Sequence, residues 1–359
     1  MQYESTCKGS LMFGVSTAQS IVKLFSGKAL AVLLRRTSSA VEQAIRIMGM
    51  KFVLAPAAYI MPRRLALQAA NVIALSLLIL PVPGFHIYWE MRSAFGKGRI
   101  KSLYLTWEWL ARPLRDFVVN KRLLYKRENP FNWKIIERNV DSINSLRESG
   151  ESYIITVAHF SSVSNFCMFS PAITYGQIVH VVFPPPERIR SLKDLRIRIG
   201  GGTLMKAFAC CWGRANESIF SKDLRTARKL YSRLHQRGNV VFIPIDAPWP
   251  KTMNGAYERP FAGQKKCVFS TGAALLARLA QCPMIICVPL LERDGTVVLE
   301  WGEPIRIAGN DATNDVNVMN ELFDTLEVAV GERPTQFIFE IGGDRRWNPQ
   351  SRRWEDFTE

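Results

Sequence analysis

From residue 151 onward, short runs rich in valine and isoleucine alternate with stretches whose apolar residues recur at helical spacing. The runs cover residues 153–158, 178–183, 240–245, 284–290 and 296–301. Runs of this length and composition predict strands that are buried on both faces. Residues 221–237, with Gly238 placed as a C-terminal cap, and residues 268–280 are predicted helices. The alternation predicts an α/β domain over residues 131–359, with a mixed sheet flanked by helices.

Residues 1–130 lack such runs and are predicted to form a separate helical region that contacts a membrane. Apolar spacing near 3.6 is interrupted by prolines, at Pro56, Pro62, Pro81, Pro83 and Pro113. The most apolar stretch, residues 65–80, would reach about 24 Å as a helix, against roughly 30 Å of bilayer hydrocarbon. We therefore expect a helix that lies at a membrane interface or packs in a core, and a single membrane span is the alternative.

Most of the positive charge lies in the same N-terminal region. Residues 1–130 carry 19 Lys and Arg against 6 Asp and Glu, so they hold 13 of the 16 net positive charges of the chain. An excess of this kind indicates an anionic partner, either a lipid surface or a nucleic acid. Because apolar helices carry these charges, and no nucleic-acid-binding motif is present, we expect an anionic membrane surface and no nucleic acid.

The cysteines and histidines do not indicate a metal site. The chain has 7 cysteines, mostly within apolar runs and with no C-x-x-C pair, and 4 histidines that form no ligand-like cluster. We expect these cysteines to be reduced and buried, in a protein that faces the cytosol. We expect no metal ion and no cofactor. The first 30 residues also lack the pattern of a secretory signal peptide.

The sharpest local feature is the end of the first predicted strand. The run at 153–158 leads directly to His159 and then to a serine-rich helix start with Ser161, Ser162 and Ser164. An imidazole at a strand end can face a cleft, and the N–H groups of a following helix favour negative charge nearby. General-base catalysis on a hydroxyl needs such a histidine and a polar group that orients its ring. A core histidine beside a serine N-cap is the structural alternative.

The run from His159 to Ser164 resembles the first motif of the lysophospholipid acyltransferase superfamily, in its bacterial lipid A biosynthesis (lauroyl/myristoyl) acyltransferase branch. That motif is His, four residues, then Asp or Glu. His159 matches the base of the family, whereas Ser164 stands where the family has its acid.

The resemblance extends over most of the chain in the order of the family. Its other segments are Pro-Arg-Arg at 62–64 before the apolar stretch, Asp246 after a predicted strand, Pro-Phe-Ala-Gly at 260–263, Ser-Thr-Gly at 270–272, Pro-Thr-Gln-Phe at 334–337 and Arg-Arg-Trp at 345–347. Each segment is weakly specific, and their order carries the resemblance.

The resemblance implies an acyltransferase in which His159 activates an acceptor hydroxyl for attack on an acyl thioester. The donor would be acyl carrier protein or coenzyme A, both acidic, and no cofactor beyond this co-substrate is implied. The acceptor would be a membrane-associated lipid, such as a lipid A precursor or another glycolipid. The implied location is the cytoplasmic side of a bacterial inner membrane, with peripheral or single-span attachment.

Five further residues are candidates for substrate binding. Ser161 and Ser162 begin the helix whose N–H groups could stabilise an oxyanion. Arg196 and Arg198 lie in a basic segment, residues 187–199, and are candidate cations for that oxyanion or for a phosphorylated substrate. Asp246 should reach the same sheet edge as His159, where it would contact the acceptor, compensate for Ser164, or only cap a turn before Pro248.

The serine at position 164 supports a second hypothesis. A carboxylate beside a histidine stabilises the imidazolium that forms in the transition state, whereas a serine can orient the ring without supplying charge. The alternative is therefore a degenerate, non-catalytic acyltransferase fold that binds lipid or a partner enzyme.

Overall fold

The computed structural model of the 359-residue chain describes most of residues 44–337 and two short C-terminal strands. The described residues are 44–79, 88–89, 91–92, 98–129, 132–160, 169–183, 216–220, 224–246, 255–292, 296–309, 311–337, 345–348 and 353–356.

A seven-stranded mixed sheet with helices packed against it forms the centre of the molecule. Its strands, in spatial order, are β1 (Ile135–Arg138), β9 (Val297–Trp301), β8 (Met284–Leu291), β2 (Tyr153–Val157), β5 (Asn239–Pro244), β3 (Ile178–Phe183) and β4 (Asn216–Phe220). Neighbouring strands are parallel except for the antiparallel pair β8–β9. The predicted α/β class with a mixed sheet is confirmed.

Two hairpins complete the described strands. They are β6 (Ala256–Phe261) with β7 (Gln264–Ser270), and β10 (Arg345–Asn348) with β11 (Arg353–Asp356).

Residues 44–48 are helical and lead into a π-helical turn, Gly49–Leu54. The helices that follow are α1 (Ala55–Ile60), α2 (Arg63–Ile79), α3 (Arg99–Leu124), α4 (Val140–Ser149), α5 (Phe169–Thr174), α6 (Leu224–Leu234), α7 (Gly272–Ala280) and α8 (Ala312–Glu332).

Strand β2 occupies the middle of the sheet because its sequence is apolar on both faces. All five of its residues are buried, and parallel strands β8 and β5 flank it on either side. Tyr153, Ile155 and Val157 enter the apolar cluster on one face of the sheet, and Ile154 enters the cluster on the other. The carboxyl ends of β2, β5 and β8 consequently meet at one edge, which is where functional residues of α/β proteins lie.

The apolar stretch at 65–80 forms most of helix α2, which packs on α3. Three small residues at four-residue spacing, Ala66, Ala70 and Ala74, are fully buried on the α3 side and allow close approach of the two helices. The prediction that this helix packs in a core therefore holds for the face of α2 that contacts α3. Among the residues that the structure describes, none of the helices is long and apolar enough to cross a bilayer.

Helix α3 joins the N-terminal helices to the sheet. Its residue Leu105 belongs to the apolar cluster on one face of the sheet, and Val119 and Leu123 belong to the cluster on the other. Leu110 and Leu114, between them, pack with α1 and α2. Although the sequence analysis divided the chain at residue 130, the described N-terminal helices share their core with the sheet through this helix.

All five predicted strands are present, but the prediction of one helix over residues 268–280 was wrong in its first part. Residues 264–270 form strand β7, and helix α7 begins only at Gly272. Ala262 and Gly263, the two residues between β6 and β7, both have positive φ, as in tight two-residue hairpin turns. The sequence concealed this hairpin because only three residues separate the apolar residues 267–269 of β7 from the apolar residues of α7.

The break predicted at Pro113 was also wrong, because this proline lies inside helix α3. A proline in a helix loses one backbone hydrogen bond. Burial of Leu110 and Leu114 on either side compensates for this loss by holding the helix in the core. The helix predicted over 221–237 is shorter, Leu224–Leu234, and Gly238 has the expected positive φ.

Candidate active site at the carboxyl edge of the sheet

The strand register brings His159 and Asp246 together. The last pair of the β2–β5 ladder is Val157 with Pro244, and His159 and Asp246 each lie two residues beyond that pair. A hydrogen bond from the backbone N–H of Ile245 to the carbonyl of Val157, at 3.0 Å, continues the ladder past its last pair. The two side chains therefore meet by continuation of the sheet, as the sequence analysis expected for this edge.

Asp246 contacts His159 through both of its carboxylate oxygens. The backbone N–H of His159 donates to Oδ2 at 2.5 Å, and the ring nitrogen Nδ1 lies 2.7 Å from Oδ1. The Asp246 side chain has no exposed surface, whereas one third of the His159 side chain, 33 %, is exposed. The buried carboxylate thus holds the histidine by two hydrogen bonds, while part of the His159 side chain remains exposed.

This arrangement determines which nitrogen of His159 is basic. A carboxylate accepts hydrogen bonds, so Nδ1 carries the proton that it donates to Asp246. In the neutral ring the lone pair then lies on Nε2. A histidine held in this way by a carboxylate is suited to remove a proton from a hydroxyl and to carry the positive charge that results.

The pKa of His159 reflects a competition between burial and the carboxylate. Burial lowers the pKa, while the charge of Asp246 and its hydrogen bond to the ring both raise it, and the net effect is a pKa above the ordinary value. Asp246 therefore stabilises the protonated ring, which is the form that a general base reaches in the transition state.

A tight turn fixes the backbone at His159. The N–H of Phe160 donates to the carbonyl of Ala158 at 2.9 Å, so His159 is the central residue of a three-residue turn. Phe160 then pairs with Phe337 in an isolated antiparallel bridge, and their rings are 5.9 Å apart between centroids. Both phenylalanines are almost completely buried.

The segment that carries Phe337 is anchored to the neighbouring strand β8. The side chain of Gln336 accepts from the N–H of Leu291 and donates to its carbonyl, both at 2.8 Å. Arg333, just before it, forms an ion pair with Glu292 at 3.0 Å. The Pro-Thr-Gln-Phe run at 334–337 thus crosses the carboxyl edge of the sheet beside His159.

Arg112 of helix α3 reaches the same segment. Its Nη1 donates to the carbonyl oxygens of Phe337 and, at 3.2 Å, of Thr335. Burial, opposed by the charge of Asp116 and assisted by that of Arg46, lowers the pKa of Arg112 to about 10. Arg112 is therefore still protonated at neutral pH and keeps its full set of donors.

Of the residues that the sequence analysis selected, the structure brings His159 and Asp246 together. Ser161, Ser162, Ser164, Arg196 and Arg198 lie outside the described residues. Their assigned roles remain predictions.

Sequence reasoning missed Arg112 and gave Phe337 no role at the site. Arg112 bonds carbonyls more than 220 positions away in the chain. No local spacing encodes such a contact. The resemblance at 334–337 was a signal that this segment matters, but it did not indicate that the segment pairs with the residue after His159.

The described residues contain no group of three or more histidine, cysteine or acidic side chains that could hold a metal ion. Cys267, Cys282 and Cys287 are buried in the core and form no disulfide. Burial raises the pKa of Cys267 and of Cys282 to about 12, which disfavours the reactive thiolate.

Comparison with known proteins does not assign the chain to a family. No protein-family model matches it, and no curated protein is significantly similar to it in sequence.

Proposed function

We propose that the protein is an acyltransferase that moves a fatty acyl chain from an acyl thioester to a hydroxyl of a membrane-associated acceptor. The donor is acyl carrier protein or coenzyme A thioester, and the acceptor is a lipid A precursor or another glycolipid. The ordered resemblance to the lipid A acyltransferase branch of the lysophospholipid acyltransferase superfamily motivates the choice of reaction.

The hydrogen bond between His159 Nδ1 and the buried Oδ1 of Asp246 is the observation that carries the proposal. In the family pattern, four residues separate the base from a carboxylate, and here Ser164 occupies the place of that carboxylate. Asp246 provides a carboxylate to the same ring from the neighbouring strand. The loss of the motif acid is therefore compatible with a working base.

In the proposed reaction, Nε2 of His159 accepts the proton of the acceptor hydroxyl as its oxygen attacks the thioester carbonyl. The carbonyl becomes a tetrahedral oxyanion, while Asp246 stabilises the imidazolium. Collapse of this intermediate breaks the C–S bond. His159 returns the proton to the departing sulfur, so the carrier leaves as a thiol. The acyl chain stays on the acceptor as an ester.

The oxyanion and the substrate need partners besides this pair. We assign N–H and hydroxyl donors for the oxyanion to the helix start that the sequence predicts at Ser161 and Ser162, and a secondary orienting role to Ser164. Arg196 and Arg198 are assigned to an anionic group of the substrate. These assignments rest on the sequence.

We also propose that the protein works on the cytoplasmic side of a bacterial inner membrane, bound to the surface of anionic lipid. A corner of the N-terminal helices supports this partner, and we call it the basic aromatic corner: Tyr59, Ile60, Met61, Tyr125, Lys126 and Arg127. Its three apolar or aromatic residues at the end of α1 are more than two-fifths exposed, with Ile60 at 77 %.

The corner is one continuous surface. The rings of Tyr59 and Tyr125 meet edge to face, with centroids 5.3 Å apart, and the guanidinium of Arg127 lies 5.0 Å from the Tyr59 ring. Arg122 ties the two segments by donating to the carbonyl of Met61 at 2.8 Å. Exposed tyrosines, aliphatic side chains and cations together suit the headgroup layer of an anionic bilayer.

A transfer assay tests the proposed reaction. The purified protein is incubated with an isotope-labelled lauroyl thioester and with total lipid extracted from its source cells. The lipid products are then separated, and their masses are measured by mass spectrometry. We expect a labelled lipid whose formation requires His159 and is lost in His159→Ala. Equal transfer by wild type and His159→Ala would refute the role of the base. No transfer by either would favour the degenerate, lipid-binding alternative.

A further inference from the structure

We infer that Arg112 is a positioning residue for His159, which it holds through the Phe337–Phe160 bridge. The catalytic consequence of this inference rests on the proposed function, whereas its structural consequence does not. The inference also connects the N-terminal helices to the carboxyl edge of the sheet.

The chain of contacts is short and consists mainly of backbone groups. Arg112 donates to the carbonyl of Phe337, Phe337 pairs with Phe160, and the N–H of Phe160 closes the turn around His159. A second hydrogen bond from Arg112, to Thr335 at 3.2 Å, holds the segment two residues earlier. Backbone contacts of this kind transmit displacement because they cannot rotate away as a side chain can.

The opposite side of this segment is already fixed. Gln336 is bound to both backbone groups of Leu291 on β8, so its side chain points to the sheet while the flanking carbonyls point to Arg112. The segment is therefore clamped between the sheet and helix α3. Without Arg112, one side of the clamp would be lost, and the Phe160 side of the turn would be free to shift relative to Asp246.

Helix α3 is well placed to act in this way because it is held independently of the site. Leu110 and Ala111, next to Arg112, are fully buried against α1 and α2. The side chain of Arg112 stacks beside Trp109, with its guanidinium carbon 5.8 Å from the ring centroid. The guanidinium is thus a fixed donor from the N-terminal helices to the candidate active site.

Arg115 on the same helix is a matched control. It also carries a positive charge, but its side chain bonds Glu108 of its own helix and makes no described contact with residues 333–337. Loss of either arginine removes one positive charge from α3. Only loss of Arg112 should loosen the turn at His159.

The test is a histidine NMR titration of the full-length protein with isotope-labelled histidine. The chain has 4 histidines, so the signal of His159 can be identified by its absence from His159→Gln. In wild type its pKa lies above about 6.5, the ordinary value. In Arg112→Met we expect it to fall towards that value because the ring moves away from Asp246. Arg112→Lys, which retains donors, should stay near wild type, and Arg115→Met should be unchanged.

The direction of the shift separates this inference from a simple charge effect. Arg112 is not among the charges that shift the pKa of His159, and direct loss of a nearby cation would raise that pKa rather than lower it. An unchanged or raised pKa in folded Arg112→Met would overturn the inference. If the signals of His180 and His235 in Arg112→Met match those of the wild-type protein, the variant is folded. If they do not match, Arg112→Gln is measured in its place.

The titration needs no substrate, so its result is independent of the proposed reaction. If acyl transfer is observed, Arg112→Met should lower kcat by about 10²-fold with little change in KM, as for a mispositioned base. Transfer that depends on His159 but is unaffected by Arg112→Met would leave the proposed function intact and refute the positioning role.

Discussion

The carboxylate of Asp246 accepts hydrogen bonds from both the backbone N–H and the ring Nδ1 of His159, at 2.5 and 2.7 Å. The two residues follow adjacent parallel strands, each two positions past the last ladder pair. The sheet itself therefore places the histidine against a fully buried acid, while one third of the His159 side chain stays exposed.

Replacing the acid should remove most of the activity of the base. Asp246→Asn keeps the size of the side chain but loses the charge that stabilises the imidazolium. We expect acyl transfer to fall by up to about 10⁴-fold, the cost of the comparable change in serine proteases. The rate of labelled ester formation measures this loss. Asp315→Asn, which alters another buried acid bonded to Arg278, is the control and should leave the rate within a small factor of wild type.

The raised pKa of His159 predicts the pH dependence of the reaction. A general base must be unprotonated to accept a proton, so activity should rise with pH through the pKa of the free enzyme. Because that pKa is raised, the midpoint of the rise in kcat/KM should lie above about 6.5. In Asp246→Asn any residual activity should rise at a lower pH. A midpoint unaffected by the substitution would mean that the titrating group is not His159.

The same shift predicts how stability depends on pH. A histidine with a raised pKa in the folded state binds its proton more tightly when folded, so it adds stability that is fully present below the unfolded pKa. We expect the free energy of unfolding of wild type to exceed that of His159→Gln most below about pH 6.5, and the difference to decline as pH rises through the folded pKa. Denaturant unfolding over a pH series measures it. A difference that grows with pH would show that burial outweighs Asp246.

The basic aromatic corner should bind anionic bilayers. Ile60→Glu places a negative charge on its most exposed apolar residue, and we expect weaker co-sedimentation with vesicles that contain phosphatidylglycerol. Val328→Glu alters a valine on helix α8 that is 65 % exposed and serves as the control. Arg127→Glu should reduce the salt-sensitive part of binding. Equal binding to neutral and anionic vesicles would count against the anionic surface as the partner.

Much of the sheet could be predicted from the sequence because its central strands are buried on both faces. Residues 284–291 are all apolar and residues 153–157 are apolar except for Thr156, which is the composition of strands that are covered on both sides. Strand β1 was missed because its residues alternate between intermediate and exposed positions at the sheet edge. The β6–β7 hairpin was missed because only three residues separate the apolar residues 267–269 of β7 from those of helix α7, and one helix was predicted over both.

The candidate site was predictable to the extent that it follows from strand ends. His159 and Asp246 each follow a buried strand, and the parallel β2–β5 pairing places them at one edge. The order of strands in the sheet decides that they are neighbours, and that order depends on long-range packing that local patterns do not specify. The contact of Arg112 with Phe337 depends on the same packing, so the sequence offered no signal for it.

The most direct test of the central claim is intact-mass profiling of the membrane lipids of cells that lack the protein and are complemented with wild type, His159→Ala or Asp246→Asn. The account predicts a lipid that is heavier by one acyl chain with wild type, absent with His159→Ala and strongly reduced with Asp246→Asn. Identical lipid profiles from the three strains, with all three proteins folded and present in equal amounts, would contradict it.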